Sequence, residues 1–171
     1  MIATPMPSTR ALPLTLPLPD LAATERLGRA LAALLRPGDV VALYGDLGAG
    51  KTALARALIR ALPAPAEGPG GAAEEEVPSP TFTLVQIYER DPAPVWHFDL
   101  YRIEDPAEVH ELGLSEALAE GITLIEWPER LGGLLPAGAL SLTLSYGESG
   151  GRAARLDGAG DWPERLAELQ F

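Results

Sequence analysis

The sequence predicts an α/β fold, a mixed sheet with a parallel centre and antiparallel edge strands. Three observations predict it. The apolar pattern runs helix–strand–helix, then strands with short helices, then an all-β end. Val40-Val41-Ala42-Leu43-Tyr44 is a short, continuous apolar run, as expected of a strand buried on both faces. A glycine-rich turn follows that run directly and opens a second helical stretch.

Each element has a local reason. Residues 1–19 are rich in leucine and proline and read as a flexible leader, with one folded domain over 20–171. Asp20 is set to cap a helix over 21–35, whose buried stripe is Leu27, Leu31, Leu34 and Leu35. Pro37-Gly38-Asp39 ends it. After the strand Val40–Tyr44, a helix is expected over 53–62. Residues 63–76, PAPAEGPGGAAEEE, cannot build a core and read as a mobile loop inserted in the domain, with Glu74-Glu75-Glu76 solvated. A strand is predicted over 81–88, because Phe82, Leu84, Gln86 and Tyr88 alternate with Thr83, Val85 and Ile87. Val95–Asp99 would pair with it as a hairpin. Asp105-Pro106-Ala107-Glu108 combines a capping aspartate with proline at the first position and glutamate at the third, so a helix should run from it to about Leu112. A second short helix covers 115–119. Ile122–Glu126, 139–146 and 152–156 read as strands, and Asp161 caps a terminal helix.

Composition narrows the function. The 171 residues hold 24 acids against 13 bases, for a formal charge of −11. That balance argues against unaided binding to a phosphate backbone, which needs clustered cations. Without cysteine, disulfides and cysteine-ligated zinc or iron–sulfur sites are excluded. No segment approaches a membrane-spanning length, and the prolines of the leader would break a signal helix, so a cytoplasmic location is expected. Twelve of the thirteen bases are arginine; the one lysine is Lys51.

That lysine stands in Gly45-Asp46-Leu47-Gly48-Ala49-Gly50-Lys51-Thr52, a full match to G-x-x-x-x-G-K-[ST]. The glycines let the backbone curl so that its amides, with the following helix N-terminus, form an anion nest. Lys51 is expected to reach the β- and γ-phosphates, and the Thr52 hydroxyl to bind Mg2+. Ala53 continues the loop into the helix. The context also fits, with an apolar strand before the motif and a helix after it, against the alternative of a glycine turn with an accidental lysine. The fold class is accordingly a P-loop NTPase-like three-layer sandwich. Guanine readers carry an N-K-x-D motif, which a chain with no asparagine and no second lysine cannot form, so ATP is the expected nucleotide.

Phosphate chemistry needs further oxygens at the carboxyl ends of neighbouring strands. Asp99 and Glu126 both stand at such ends, and spacing alone does not decide which meets the metal. Thr81, in Ser79-Pro80-Thr81-Phe82, has the character of a switch threonine, although spacing alone favours an ordinary strand start. His97, between Trp96 and Phe98, reads as a packed histidine, and His110 as surface. Trp127 could stack on a base or a partner, or be structural.

Four blocks taken together carry a family resemblance: GDLGAGKT at 45–52, SPTFTLV at 79–85, HFDLYR at 97–102 and EWPER at 126–130. The chain resembles the TsaE family, formerly YjeE, of small bacterial ATPases, over about residues 20–156. The resemblance implies slow ATP hydrolysis with Mg2+ in the making of threonylcarbamoyladenosine, a modified base of tRNAs that read ANN codons. It implies Thr52 and Glu126 as metal ligands and Asp99 as the catalytic or water-orienting acid. It also implies a nucleotide-sensing role for Thr81 and a position near the site for Trp127. Thr24 becomes a candidate near adenine, and Arg152 one near the phosphates or the partner. The implied partner is the TsaB–TsaD pair, which would hold the tRNA, so this chain would meet tRNA only indirectly and no membrane at all. The threonylcarbamoyl group would be transferred by the partners. Two other functions compete: a small-molecule P-loop kinase, disfavoured because the 63–76 stretch has no lid arginine, and a binding module without turnover.

Overall fold

The computed structural model describes residues 9–66 and 76–171; the first eight residues of the leader and 67–75 of the expected mobile loop lie outside them. Among the described residues seven strands form one sheet: β1 (Leu14–Leu18), β2 (Val40–Tyr44), β3 (Val85–Tyr88), β4 (Val95–Asp99), β5 (Ile122–Glu126), β6 (Leu140–Tyr146) and β7 (Arg152–Asp157). Their spatial order is β1-β7-β6-β2-β5-β4-β3. β2 runs parallel to β6 and β5, and β4 parallel to β5. The outer pairs β1–β7, β6–β7 and β3–β4 are antiparallel. The expected parallel centre with antiparallel edges is therefore the observed sheet.

Alternation along the central strands divides the core in two. Val41 and Leu43 of β2, Val95 of β4 and Ile122 and Leu124 of β5 join a cluster with α1 (Leu21–Ala32), α2 (Lys51–Ala61) and Trp162 of α5 (Trp162–Ala167). Val40, Trp96, Phe98 and Ile125 point the other way and meet Val109 of α3 (Glu108–Glu111) and Leu114 and Ala117 of α4 (Leu114–Glu120). A sheet buried on both faces by helices gives the three layers. His97 and Asp99 share the face of Val95, toward α2.

Helices α1 and α2 approach closely at Gly28. A Cβ there would lie 2.6 Å from the Ala57 Cβ and 3.0 Å from the Leu58 backbone nitrogen. Gly28→Ala should therefore destabilise the fold by about 1–3 kcal/mol through overpacking, although alanine is the better helix former by about 1 kcal/mol. Urea unfolding should show a lower midpoint with an unchanged slope.

Several element boundaries differ from the sequence expectation. Leu14–Leu18 is a sheet strand, so the folded unit begins before residue 20. Leu16 and Leu18 are buried, whereas Thr15 and Pro17 are exposed. Pro17 is tolerated because β1 is an edge strand, and the surrounding prolines hid its two-residue period. Asp20 caps α1 as expected, accepting from the Ala23 N–H at 2.8 Å, but the helix stops at Ala32. The strand expected from residue 81 starts only at Val85. The Leu84 N–H turns back to the Pro80 carbonyl at 2.7 Å, and Leu84 adopts φ 66°. Phe82 is left 86% exposed instead of packed. Asp105 caps a turn, accepting from the Ala107 N–H at 2.9 Å, and regular helix begins only at Glu108. Asp161 gives α5 no side-chain cap; its carboxylate pairs with Arg36 at 3.2 Å and Arg165 at 3.5 Å. Arg165 itself is buried, which opposes its charge, but Asp39 and Asp161 together outweigh that burial and raise its pKa.

Candidate functional site

The loop between β2 and α2 is built by glycine geometry. Gly45, Gly48 and Gly50 take φ of 142°, 79° and 107°. At Gly45 a Cβ would come within 2.5 Å of the Leu144 carbonyl on β6, so no side chain fits. Gly50 then hands the chain into α2, whose first residue is Lys51. Lys51 is only 4% exposed. Its Nζ donates to the Gly45 carbonyl at 2.5 Å and the Asp46 carbonyl at 2.9 Å. It also lies 4.1 Å from the centroid of the Trp127 ring, a cation–π contact. Burial pushes the Lys51 ammonium below the ordinary lysine range; the carboxylates of Glu126, Glu129, Asp99 and Asp46 oppose the shift without cancelling it.

Opposite the loop stand the ends of β4 and β5, where Asp99 and Glu126 are register partners. The Thr52 hydroxyl lies 3.0 Å from each oxygen of the Glu126 carboxylate. The Glu126 carboxylate also meets the Nε2 of His97, 2.8 Å from Oε1. Asp99 accepts from the Thr81 hydroxyl at 3.2 Å and from the Tyr101 N–H at 3.1 Å. Thr81 is further tied to the Ser79 hydroxyl at 2.6 Å, and its carbonyl accepts from Arg102.

These groups meet in one cleft of about 220 Å3, lined by Leu47, Gly48, Gly50, Lys51, Thr52, Ala53, Thr81, Asp99, Glu126 and Trp127, all expected from sequence, and by Tyr101. A second cavity of about 210 Å3 adjoins it through Gly50 and Ala53. Thr24, Ala49 and Arg152 line that one. Arg152 also donates to the Gly48 carbonyl at 3.3 Å. Gly45 and Asp46 contribute carbonyls behind the cleft. Every predicted site residue thus belongs to the loop, its cleft or the adjoining cavity.

Trp127 reaches the site because its backbone is in the left-handed region, φ 59° and ψ 49°, directly after β5. Such a conformation costs a bulky residue about 1–3 kcal/mol. It turns the indole over Lys51, and Tyr101 packs on the outer side with ring centroids 4.9 Å apart.

Three partners escaped the sequence reading. His97 is not only packed: it is wholly buried and bonded to Glu126. Its two-residue spacing from Asp99 on one strand was the available signal. Tyr101 and Arg102 lie in the same HFDLYR block but beyond the strand, where period-2 reasoning ends. As to a metal, the Thr52 hydroxyl and the Glu126 carboxylate are the hard oxygen donors that Mg2+ prefers. No cluster of three His, Cys, Asp or Glu gathers among the described residues, and a magnesium held partly by phosphate and water needs none.

Sheet order, glycine loop and strand-end acids define an α/β protein of the P-loop NTPase-like fold. The crystal structure of Bacillus subtilis YdiB superimposes with a TM-score of 0.71 at 26% identity, covering 91% of each chain. Residues 18–154 match the family model described as threonylcarbamoyl adenosine biosynthesis protein TsaE. The chain belongs to the TsaE family. Proteins named tRNA threonylcarbamoyladenosine biosynthesis protein TsaE are similar to it in three well-separated organisms. The Rickettsia bellii protein is 40% identical over 71% of this chain and 78% of its own. The Nostoc protein is 39% identical over 81% and 82%. The Bacillus subtilis protein is 35% identical over 85% of each. Among the described residues no helix is long and apolar enough to cross a membrane.

Proposed function

We propose that this protein is a magnesium-dependent P-loop ATPase serving threonylcarbamoyladenosine modification of tRNAs that read ANN codons, by cycling a TsaB–TsaD complex. The observation that carries the reading is the convergence of Lys51, Thr52, Glu126, Asp99 and Thr81 on one cleft. The loop amides and Lys51 bind the phosphates. Lys51 exchanges its two carbonyl partners for phosphate oxygens, which accept more strongly because they are charged. Thr52 and Glu126 would hold Mg2+. The chemistry that ion supplies there is charge neutralisation on the β- and γ-phosphate oxygens. Asp99 orients the attacking water, and Thr81, bonded to Asp99, links the γ-phosphate position to the exposed segment around Phe82. The cavity lined by Thr24 and Arg152 suits the nucleoside.

The acidic charge fits a division of labour in which the partners hold the tRNA and transfer the threonylcarbamoyl group. The test is ATP turnover measured alone and with purified TsaB–TsaD. Turnover should be slow alone and rise with the partners. Equal rates would remove the coupled cycle, and phosphotransfer to a metabolite without any partner would favour a kinase instead.

A further inference from the structure

Glu126 receives hydrogen bonds from two sides. Thr52 approaches from α2, with its hydroxyl equidistant from the two carboxylate oxygens. His97 approaches from β4, Nε2 to Oε1 at 2.8 Å. His97 is 0% exposed and lies on the sheet face of Val95 and Leu124, among apolar core. Its Nδ1 has no partner among the described residues. A histidine that only filled this space would leave two buried polar atoms with nothing to offset their desolvation. This one spends a single donor, and it spends it on Glu126. A carboxylate can only accept, so Nε2 carries the proton.

We infer that His97 is a positioning residue: through its Nε2–H it fixes the Glu126 carboxylate so that both oxygens face Thr52. The inference rests on the proposed nucleotide site and deepens it. A glutamate side chain has three rotatable torsions. Glu126 is itself only 2% exposed, and a buried carboxylate needs hydrogen-bond donors that fix which way its oxygens face. Outer hydrogen-bond partners of this kind set ligand orientation, and their loss typically costs about 10–100-fold in metal affinity.

The side-chain chemistry supplies a discriminating pair of variants. Glutamine carries its amide nitrogen near the imidazole Nε2 position; asparagine carries it near Nδ1 and falls short of Glu126. Binding of a non-hydrolysable ATP analogue is measured by calorimetry with and without Mg2+. Metal-free affinity should stay close to wild type in His97→Gln, His97→Asn and His97→Leu. The gain in affinity on adding Mg2+ should fall by about 10–100-fold in the Asn and Leu variants, and glutamine should recover most of it. A Leu variant with the full wild-type gain, or a Gln variant as impaired as Asn, would overturn the inference. In the wild type, imidazole nitrogen spectra offer a readout that needs no variant. They should show His97 protonated at Nε2, with that resonance moving when Mg2+ joins the bound analogue; a proton on Nδ1 alone would overturn it. If the wild type binds the analogue with no magnesium gain, the metal assignment itself fails and the inference with it. If it has the gain and the Leu variant shares it, only the inference fails.

Discussion

Lys51→Met is expected to lower ATP turnover by at least about 100-fold, the loss typical of removing one preorganised charge-stabilising donor, while leaving the fold intact. Its ammonium is the cation at the mouth of the loop, bonded to the Gly45 and Asp46 carbonyls and lying against the Trp127 ring. Methionine keeps the length and the apolar stem over the indole but offers no charge to the phosphates. Stability should change far less than activity, because relief of a buried charge offsets the lost hydrogen bonds. Burial holds the Lys51 pKa below its unfolded value. Below that folded value the charged lysine is carried at a cost, and the cost fades as pH rises through it, because the unfolded chain then binds the extra proton. Methionine has no such charge. Thermal unfolding should therefore show no loss beyond about 2 kcal/mol, the worth of the two hydrogen bonds to the Gly45 and Asp46 carbonyls. A variant that lost both stability and turnover would make Lys51 a structural residue instead.

The fate of Lys51 also shows what the sequence made legible. The loop was readable because its function is a backbone shape, and only glycine at set intervals allows that shape. Val40–Tyr44, Val95–Asp99 and Ile122–Glu126 were bounded to the residue, since fully buried central strands are continuous apolar runs that end sharply in polar groups. β1 was missed because an edge strand tolerates Pro17, and proline reads locally as a break. The segment over 81–84 was misread because its alternation is real but unpaired: Leu84 turns the chain before the ladder begins. His97 was half read. A histidine among apolar neighbours looks packed, and it is; its single polar contact depends on a strand pairing that no local pattern encodes.

The second large effect separates the two acids. Asp99→Asn is expected to reduce turnover by about 10²–10⁴-fold, the usual contribution of a positioned acid or base, with nucleotide affinity nearly unchanged. Asp99 touches Thr81 and the Tyr101 N–H, and neither of these lies on α2. The two donors use different oxygens of Asp99. The asparagine carbonyl can still accept from the Tyr101 N–H while its NH2 donates to the Thr81 hydroxyl oxygen, so the Thr81 segment should stay anchored and the change is confined to charge and to water orientation. Glu126→Gln should behave differently. Its carboxylate is the only acid touching Thr52 among the described residues, so an amide there should weaken the dependence of nucleotide binding on Mg2+ together with the rate. The comparison is made by measuring single-turnover rates and nucleotide affinity across a magnesium series for each variant. Asp99→Asn should leave the magnesium midpoint where the wild type has it and lower only the plateau. Glu126→Gln should move the midpoint to higher magnesium. The opposite pattern, a shifted midpoint for Asp99 and a lowered plateau alone for Glu126, would exchange the two roles. That exchange would be hard to reconcile with the geometry, because it would ask the carboxylate bonded to Thr81 to serve the metal and the one equidistant from the Thr52 hydroxyl to serve the water.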